Sequence, residues 1–246
     1  MDYAKFRGIV IRSTDYGEGD RLLAILAFEK GMVTVKAKGV RRKGAKLSHC
    51  AQLFFCGDFE CVSGNGRYVL TGGSRLYDYT GIAGDLDKYY HACHFIEIAS
   101  AVIMEDQPDD EMLRLLLNTM HVMICSDMDL ALLTAIYELK TAVITGFAPV
   151  TGECAVCGKK QDGMSFSPDN GGMVCCVPGI PVDNGTAEAI GHISSCEGGK
   201  LFSIRLSEKQ IEGLKKIAAK YLEFVLDRKF GKLEGFERYN NGGNPG

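Results

Sequence analysis

From Val33 to Lys38 the chain alternates, with Val33, Val35 and Ala37 on one parity and Thr34, Lys36 and Lys38 on the other. A strand sends successive side chains to opposite faces, so this pattern predicts a strand with one packed face and one basic, solvated face. Residues 6–12, 21–28, 52–62 and 67–77 are also short and rich in β-branched or aromatic residues, and residues 31–38 join them to predict five strands. Turn signals separate them at Tyr16-Gly17-Glu18-Gly19-Asp20, Glu29-Lys30-Gly31 and Ser63-Gly64-Asn65-Gly66. Asn65-Gly66 offers the positive-φ residues of a tight hairpin. Five short strands at this spacing predict a small closed barrel.

The period then changes to that of helices. Residues 86–104 predict a first helix, and a second opens at Pro108 with Asp109, Asp110 and Glu111, where carboxylates suit the positive helix end. Met112, Leu115, Leu116, Met120 and Met123 keep its helical spacing. A third helix begins near Asp127, carries Leu132, Leu133, Ile136, Leu139, Val143 and Ile144, and stops at Gly146. Residues 147–205 have little periodicity and read as loops. Ser207 with Gln210 three residues on marks a capping box and a last helix through Ile211, Leu214, Ile217, Tyr221, Leu222 and Val225. The organisation expected is an α+β chain: a barrel domain over 1–82, and a helical domain over 83–246 with a loop-rich insert at about 147–205. A disordered tail is expected at about 238–246.

Charge sharpens the first domain. The net charge is −3, yet residues 1–82 carry an excess of basic groups and residues 83–150 an excess of acidic ones. The run from Thr34 to Lys46 holds Lys36, Lys38, Arg41, Arg42, Lys43 and Lys46 and no acid. Basic charge gathered on one strand and the glycine-containing, flexible loop after it is how a small barrel presents a groove to a polyanion, and nucleic-acid phosphate is the commonest such partner. Lysines guarding a solvated edge strand are the plainer reading. Tyr16, Phe28 and Tyr68 are candidates to stack on bases. The acidic middle segment reads as a face for other proteins or as ordinary solvated surface.

Cysteine is the second chemical signal. Ten cysteines in a chain without an apolar signal core point to buried thiols and metal rather than disulfides. Cys154-Ala155-Val156-Cys157-Gly158 has the form of half a tetrahedral zinc site. Cys175 supplies a third ligand. The fourth position is open between Cys196, Cys176 and His192, with Cys196 favoured because adjacent cysteines seldom share an ion. A metal-free loop and a redox pair are the competing readings. Cys50, Cys56, Cys61, Cys93 and Cys125 sit in apolar surroundings and read as core. No P-loop, nucleophile elbow or zinc-deaminase pattern is present, so catalysis and nucleotide use are not expected.

Taken in order, these pieces resemble the RecO family of bacterial DNA repair and recombination-mediator proteins. The resemblance rests on Phe6-Arg7-Gly8-Ile9-Val10-Ile11, on Tyr16 to Leu22, on the strand from Gly31 to Arg42, on Tyr137-Glu138-Leu139-Lys140, on Gly146-Phe147-Ala148-Pro149, on Cys154 to Gly158, and on Phe166-Ser167-Pro168 leading to Gly171-Gly172 and Cys175. It implies an N-terminal OB-fold, a helical domain and a zinc-binding insert, with zinc as a structural cofactor. It also implies a non-enzymatic, cytoplasmic, nucleoid-associated protein that binds single- and double-stranded DNA and anneals strands. The implied protein partners are RecR and single-stranded-DNA-binding protein, with which it loads recombinase. The chain departs from the family pattern after Cys175, where no Cys follows at the x-x-Cys spacing and a longer segment, 177–199, intervenes. A zinc-stabilised protein scaffold and a zinc-dependent enzyme acting on nucleic acid are the alternatives.

Overall fold

The computed structural model describes residues 2–64, 67–231 and 233; the expected Asn65-Gly66 turn and the tail at 238–246 lie outside them. The chain divides into two compact units, Met1–Tyr89 with Ala99–Arg114, and Tyr90–Ile98 with Leu115–Gly246.

The five strands expected in the first unit are present as β1 (Asp2–Tyr16), β2 (Asp20–Ala27), β3 (Gly31–Ala37), β4 (Cys56–Gly64) and β5 (Arg67–Tyr77). They close into a barrel in the order β1-β2-β3-β5-β4, with β3 and β5 parallel through Val35↔Tyr68 and Lys36↔Val69. This is the OB-fold. β1 runs well beyond the expected residues 6–12 because it closes the barrel: Asp2 to Ile9 pair with β4, and Gly8 to Tyr16 pair with β2. A bulge between Val10 and Arg12 lets one strand serve both neighbours by adding local twist. β4 starts at Cys56 rather than near Gln52, since Phe54 takes φ 65° and Phe55 N–H closes a turn onto Gln52 O.

Inside the barrel Phe6 stacks on Phe59 at 5.8 Å and Phe55 meets Phe59 edge-on at 5.4 Å, among Leu23, Ile25, Val33 and Val35. Of the five cysteines expected as core, Cys50, Cys56 and Cys61 are buried, whereas Cys93 is half-buried and Cys125, at the end of the second helix, is exposed; burial pushes the first three thiols up to about 11, about 12 and about 12. Thiols so protonated are poor nucleophiles.

The second unit is built on helices α1 (Leu86–Val102, of which Tyr90–Ile98 lie here), α2 (Asp110–Cys125, from Leu115 onward), α3 (Leu130–Ile144), α4 (Asn184–Ser195) and α5 (Glu208–Leu226). α3 is buried on every side from Leu132 to Ala142, the pattern of a central helix. Its polar members are therefore partnered. Tyr137 donates to Phe95 O at 2.8 Å, Thr134 meets His91 Nδ1 at 2.7 Å, and Lys140 donates to Cys196 O at 2.9 Å. Asp129 caps α3 by accepting from Leu132 N–H, and Gln210 Oε1 accepts the Ser207 N–H at the start of α5, as the capping box predicts.

The region expected to be loops holds regular structure: β6 (Ser165–Ser167), β7 (Gly172–Val174) and β8 (Ile180–Pro181) form a small sheet, and α4 follows. Gly185, Gly191 and several serines and threonines dilute the helical signal of α4, which rests on the Asp183 cap and on buried Thr186, Ala189, Ile190 and Ile193. Among the described residues no helix is long and apolar enough to cross a membrane.

Candidate nucleic-acid interface and metal centre

The basic run folds as a docked series of turns, which corrects the expectation of a flexible loop. Val40 is buried in the barrel core and pins its first end; full burial of a valine contributes about 1.5–3 kcal/mol. Gly39, at φ 68°, takes a left-handed turn that suits glycine, and its N–H donates to Asp20 Oδ1 at 2.8 Å. Arg41 fastens the run to the β1–β2 turn. Its N–H donates to Gly19 O at 3.0 Å, one guanidinium nitrogen donates to Gly17 O at 3.2 Å, and the other pairs with Asp15 at 3.1 Å.

These contacts sort the six basic residues into two groups. Lys36 and Arg41 are held by carboxylates, with Lys36 Nζ 3.0 Å from Asp20 Oδ2. Lys38, Arg42, Lys43 and Lys46 are exposed, and among the described residues no ion pair engages them. The Gly39 N–H, and after it Lys36, hold the Asp20 carboxyl below its usual range.

Beside the loop lies the outer face of β1, β2 and β3. Register places Arg12, Ala24 and Thr34 in one cross-strand row and Thr14, Leu22 and Lys36 in the next. Tyr16, 52 % exposed, carries the Lys36 ammonium over its ring at 4.7 Å. Of the three aromatic candidates it alone stands open; Tyr68 packs against the barrel core, and Phe28 is half-buried with the Arg114 guanidinium 5.4 Å from its ring. Arg12 was missed by the sequence reading, although alternation through Arg12, Thr14 and Tyr16 was there to be read. Where β1 pairs with β4 the cations are already engaged, since Arg7 forms a forked pair with Asp58 at 2.9 and 3.4 Å and Lys5 meets Glu60 at 3.2 Å. In OB-folds the face of the second and third strands, with the loops joining strands 1–2 and 4–5, is where oligonucleotides bind, and the basic run is docked on the first of those loops.

The second centre is the cysteine cluster. Cys154, Cys157, Cys175 and Cys176 offer sulfurs that all lie within 4.8 Å of one another. Cys154 and Cys157 bracket a tight turn closed by Gly158 N–H onto Cys154 O at 2.8 Å. Cys175 and Cys176 follow β7, which is drawn against that turn by Ala155 N–H to Met173 O at 2.7 Å. Gly172 is required there, because a Cβ would run into the Val150 backbone. Cys196, expected as the fourth ligand, stands outside the cluster, and the fourth sulfur within it is that of Cys176. Cys196 ends α4: its carbonyl accepts from Lys140, and its thiol lies 3.4 Å from Nδ1 of His192, which shares that last turn. The adjacent cysteines both reach the cluster, with Cys157 and Cys175 sulfurs 3.5 Å apart and Cys154 and Cys176 sulfurs 3.8 Å apart.

The four sulfurs are close enough to hold a metal ion. Four thiolates at this spacing are a tetrahedral donor set with every position filled. N–H groups of Cys157, Cys175 and Val156 pull Cys154 down to about 5. The bond from Cys157, together with burial, pushes Cys175 up to about 12, and burial raises Cys176. One sulfur is thus already anionic at neutral pH, as a cation site needs.

Residues 1–76 match the family model Recombination protein O N terminal, and residues 83–234 match Recombination protein O C terminal. DNA repair protein RecO of Acetivibrio thermocellus is 29% identical over 241 residues, covering 95% of this chain and 96% of that protein. DNA repair protein RecO of Bacillus cytotoxicus is 30% identical over 173 residues, covering 70% and 69%, and the protein of that name from Bacillus cereus matches to the same extent. Two family models that between them run through both units, and a relative matched almost end to end, place this chain in the RecO family of DNA repair proteins.

Proposed function

We propose that this protein is a non-catalytic recombination mediator that binds single- and double-stranded DNA through its barrel and anneals complementary strands. In this reading it acts in the bacterial cytoplasm with RecR and single-stranded-DNA-binding protein to help load recombinase. The observation that carries the reading is the set of four uncompensated cations, Lys38, Arg42, Lys43 and Lys46, on a loop docked beside an open strand face with an exposed tyrosine. Two DNA strands repel, and a surface that neutralises their phosphates lowers the cost of bringing them together, so no nucleotide need be hydrolysed. Family membership supports the protein partners. The metal in this reading is zinc, held by Cys154, Cys157, Cys175 and Cys176, and it ties the turn after Thr151 to β7.

Annealing of labelled complementary strands, followed by fluorescence quenching with and without ATP, tests it. Acceleration over the free strands without ATP is the expected result. No acceleration, or an absolute need for ATP, overturns the annealing role.

A further inference from the structure

The four sulfurs of the cysteine cluster are not equivalent. Cys154 is buried and Cys175 half-buried, while Cys157 and Cys176 are exposed. The Cys157 sulfur lies 3.5 Å from that of Cys175, and the Cys154 sulfur 3.8 Å from that of Cys176. Both contacts cross from the turn at 154–157 to the end of β7. An exposed cysteine with a second sulfur alongside has the form of a redox site, in which one thiol is oxidised and its neighbour resolves it.

Geometry chooses the pair. Cys175 and Cys176 are adjacent, so their Cα atoms stand about 3.8 Å apart, short of the roughly 4.4–6.8 Å usual across a disulfide. Cys154 is only 2 % exposed, and its sulfur accepts the Cys175 N–H at 3.4 Å, so an oxidant in solvent does not reach it. Cys176 is open, but its near neighbour is that buried sulfur. Cys157 is open, and its near neighbour is Cys175.

We propose that Cys157 and Cys175 form a redox modification site, at which hydrogen peroxide oxidises Cys157 and Cys175 closes a disulfide with it. The Cys157 sulfur attacks the peroxide, and an S–O bond forms as the O–O bond breaks and water leaves. The Cys175 sulfur then attacks that of Cys157, and the S–S bond forms as the S–O bond breaks and a second water leaves. The sulfurs together lose two electrons and the peroxide gains them; the protons of the waters come from the thiols, or from solvent where the sulfurs are thiolates. The consequence for the metal rests on the proposed zinc. Once oxidised, the pair no longer donates, and Cys154 with Cys176 supplies only two of the four ligands that a closed zinc site needs. The new bond joins the same two segments as the ion, so the insert stays tied when the ion leaves.

Titration of the full chain with hydrogen peroxide tests it, followed by peptide mapping of disulfides, a colorimetric zinc indicator and thermal melting. Zinc measured before oxidation tests the metal reading alone. Disulfides are mapped on the protein as purified and after chelator treatment, so that arm decides the proposal whether or not zinc is found. A Cys157–Cys175 disulfide is expected as the main product in both, reversed by dithiothreitol. From zinc-loaded protein its formation should release about one zinc per chain. The oxidised protein should melt at a higher temperature than the reduced, chelator-stripped one, because the cross-link restricts the unfolded chain. Cys125→Ser removes the exposed thiol at the end of α2 and should change none of this. The proposal is overturned by a cluster that stays reduced in excess peroxide, by Cys154–Cys157 or Cys154–Cys176 as the main disulfide, by zinc leaving while Cys157 and Cys175 stay reduced, by a melting temperature no higher than that of the stripped protein, or by loss of the response in Cys125→Ser.

Discussion

Asp20 Oδ1 accepts the backbone N–H of Gly39 at 2.8 Å, and so the residue that opens β2 sets the first turn of the basic loop after β3. The N–H and Lys36 stabilise the ionised carboxyl and hold it below its usual range. A group depressed on folding contributes above its unfolded value, near 3.9, and loses that contribution as pH falls through its folded value. The amide resonance of Gly39, followed by NMR from pH 6 to 2, should therefore titrate with a midpoint below about 3.9. A midpoint at or above that value would mean the carboxylate does not hold the turn.

The partition of the loop cations makes a sharper test of DNA binding than removing charge at random. Arg42→Ala with Lys43→Ala removes two cations that, among the described residues, no carboxylate pairs with. Each lost phosphate contact should flatten the log–log salt dependence of single-strand binding by about 0.7–1. Lys5→Ala should leave the slope alone, because Lys5 is already paired with Glu60 across β1 and β4. Gel-shift titrations at several salt concentrations read both. Equal effects from the two variants would move the DNA away from the loop.

Tyr16 should act through its ring rather than through charge. One face carries the Lys36 ammonium, and the side chain is half exposed. Base stacking on an aromatic contributes about 1–3 kcal/mol by alanine substitution and does not depend on which base is present. Tyr16→Ala should weaken single-strand binding by that amount with the salt slope unchanged, while Tyr16→Phe should retain it. A changed slope, or no loss, would remove Tyr16 from the interface.

Much of this was legible in the chain because local rules governed it. Alternation at Val33–Lys38 gave β3, and the start of α5 followed the capping box at Ser207. What stayed hidden depended on contacts distant in sequence. Arg41 looked like one more free cation, but Asp15 and the Gly17 and Gly19 carbonyls hold it. The helical spacing marked Leu132, Leu133, Ile136 and Leu139 for packing, yet α3 is buried all round and Glu138 and Lys140 bond to His94 and Cys196. Cys176 was set aside by a rule about neighbouring cysteines, yet in the bend after β7 both sulfurs reach the cluster, and α4 was diluted by its own glycines.

The metal centre offers the last test, in two arms that bear on the same four sulfurs. Protein purified without chelator should hold about one zinc per chain. Cys176→Ser should lower metal affinity at least 10–100-fold, the range seen even for outer-shell changes, whereas Cys196→Ser should keep the metal, since that thiol faces His192. The reverse result would restore Cys196 as the ligand. Protonation gives the second arm. Without metal Cys154 titrates at about 5, but Cys175 is pushed up to about 12 and Cys176 is raised too, so both hold protons at neutral pH. A cation must expel those protons to bind, and affinity therefore rises with pH and falls on acidification. Chelator competition between pH 6 and 8 should show log affinity climbing by at least about two per pH unit, one each for the protons expelled from Cys175 and Cys176. A flat profile would mean that Cys175 and Cys176 do not close the site.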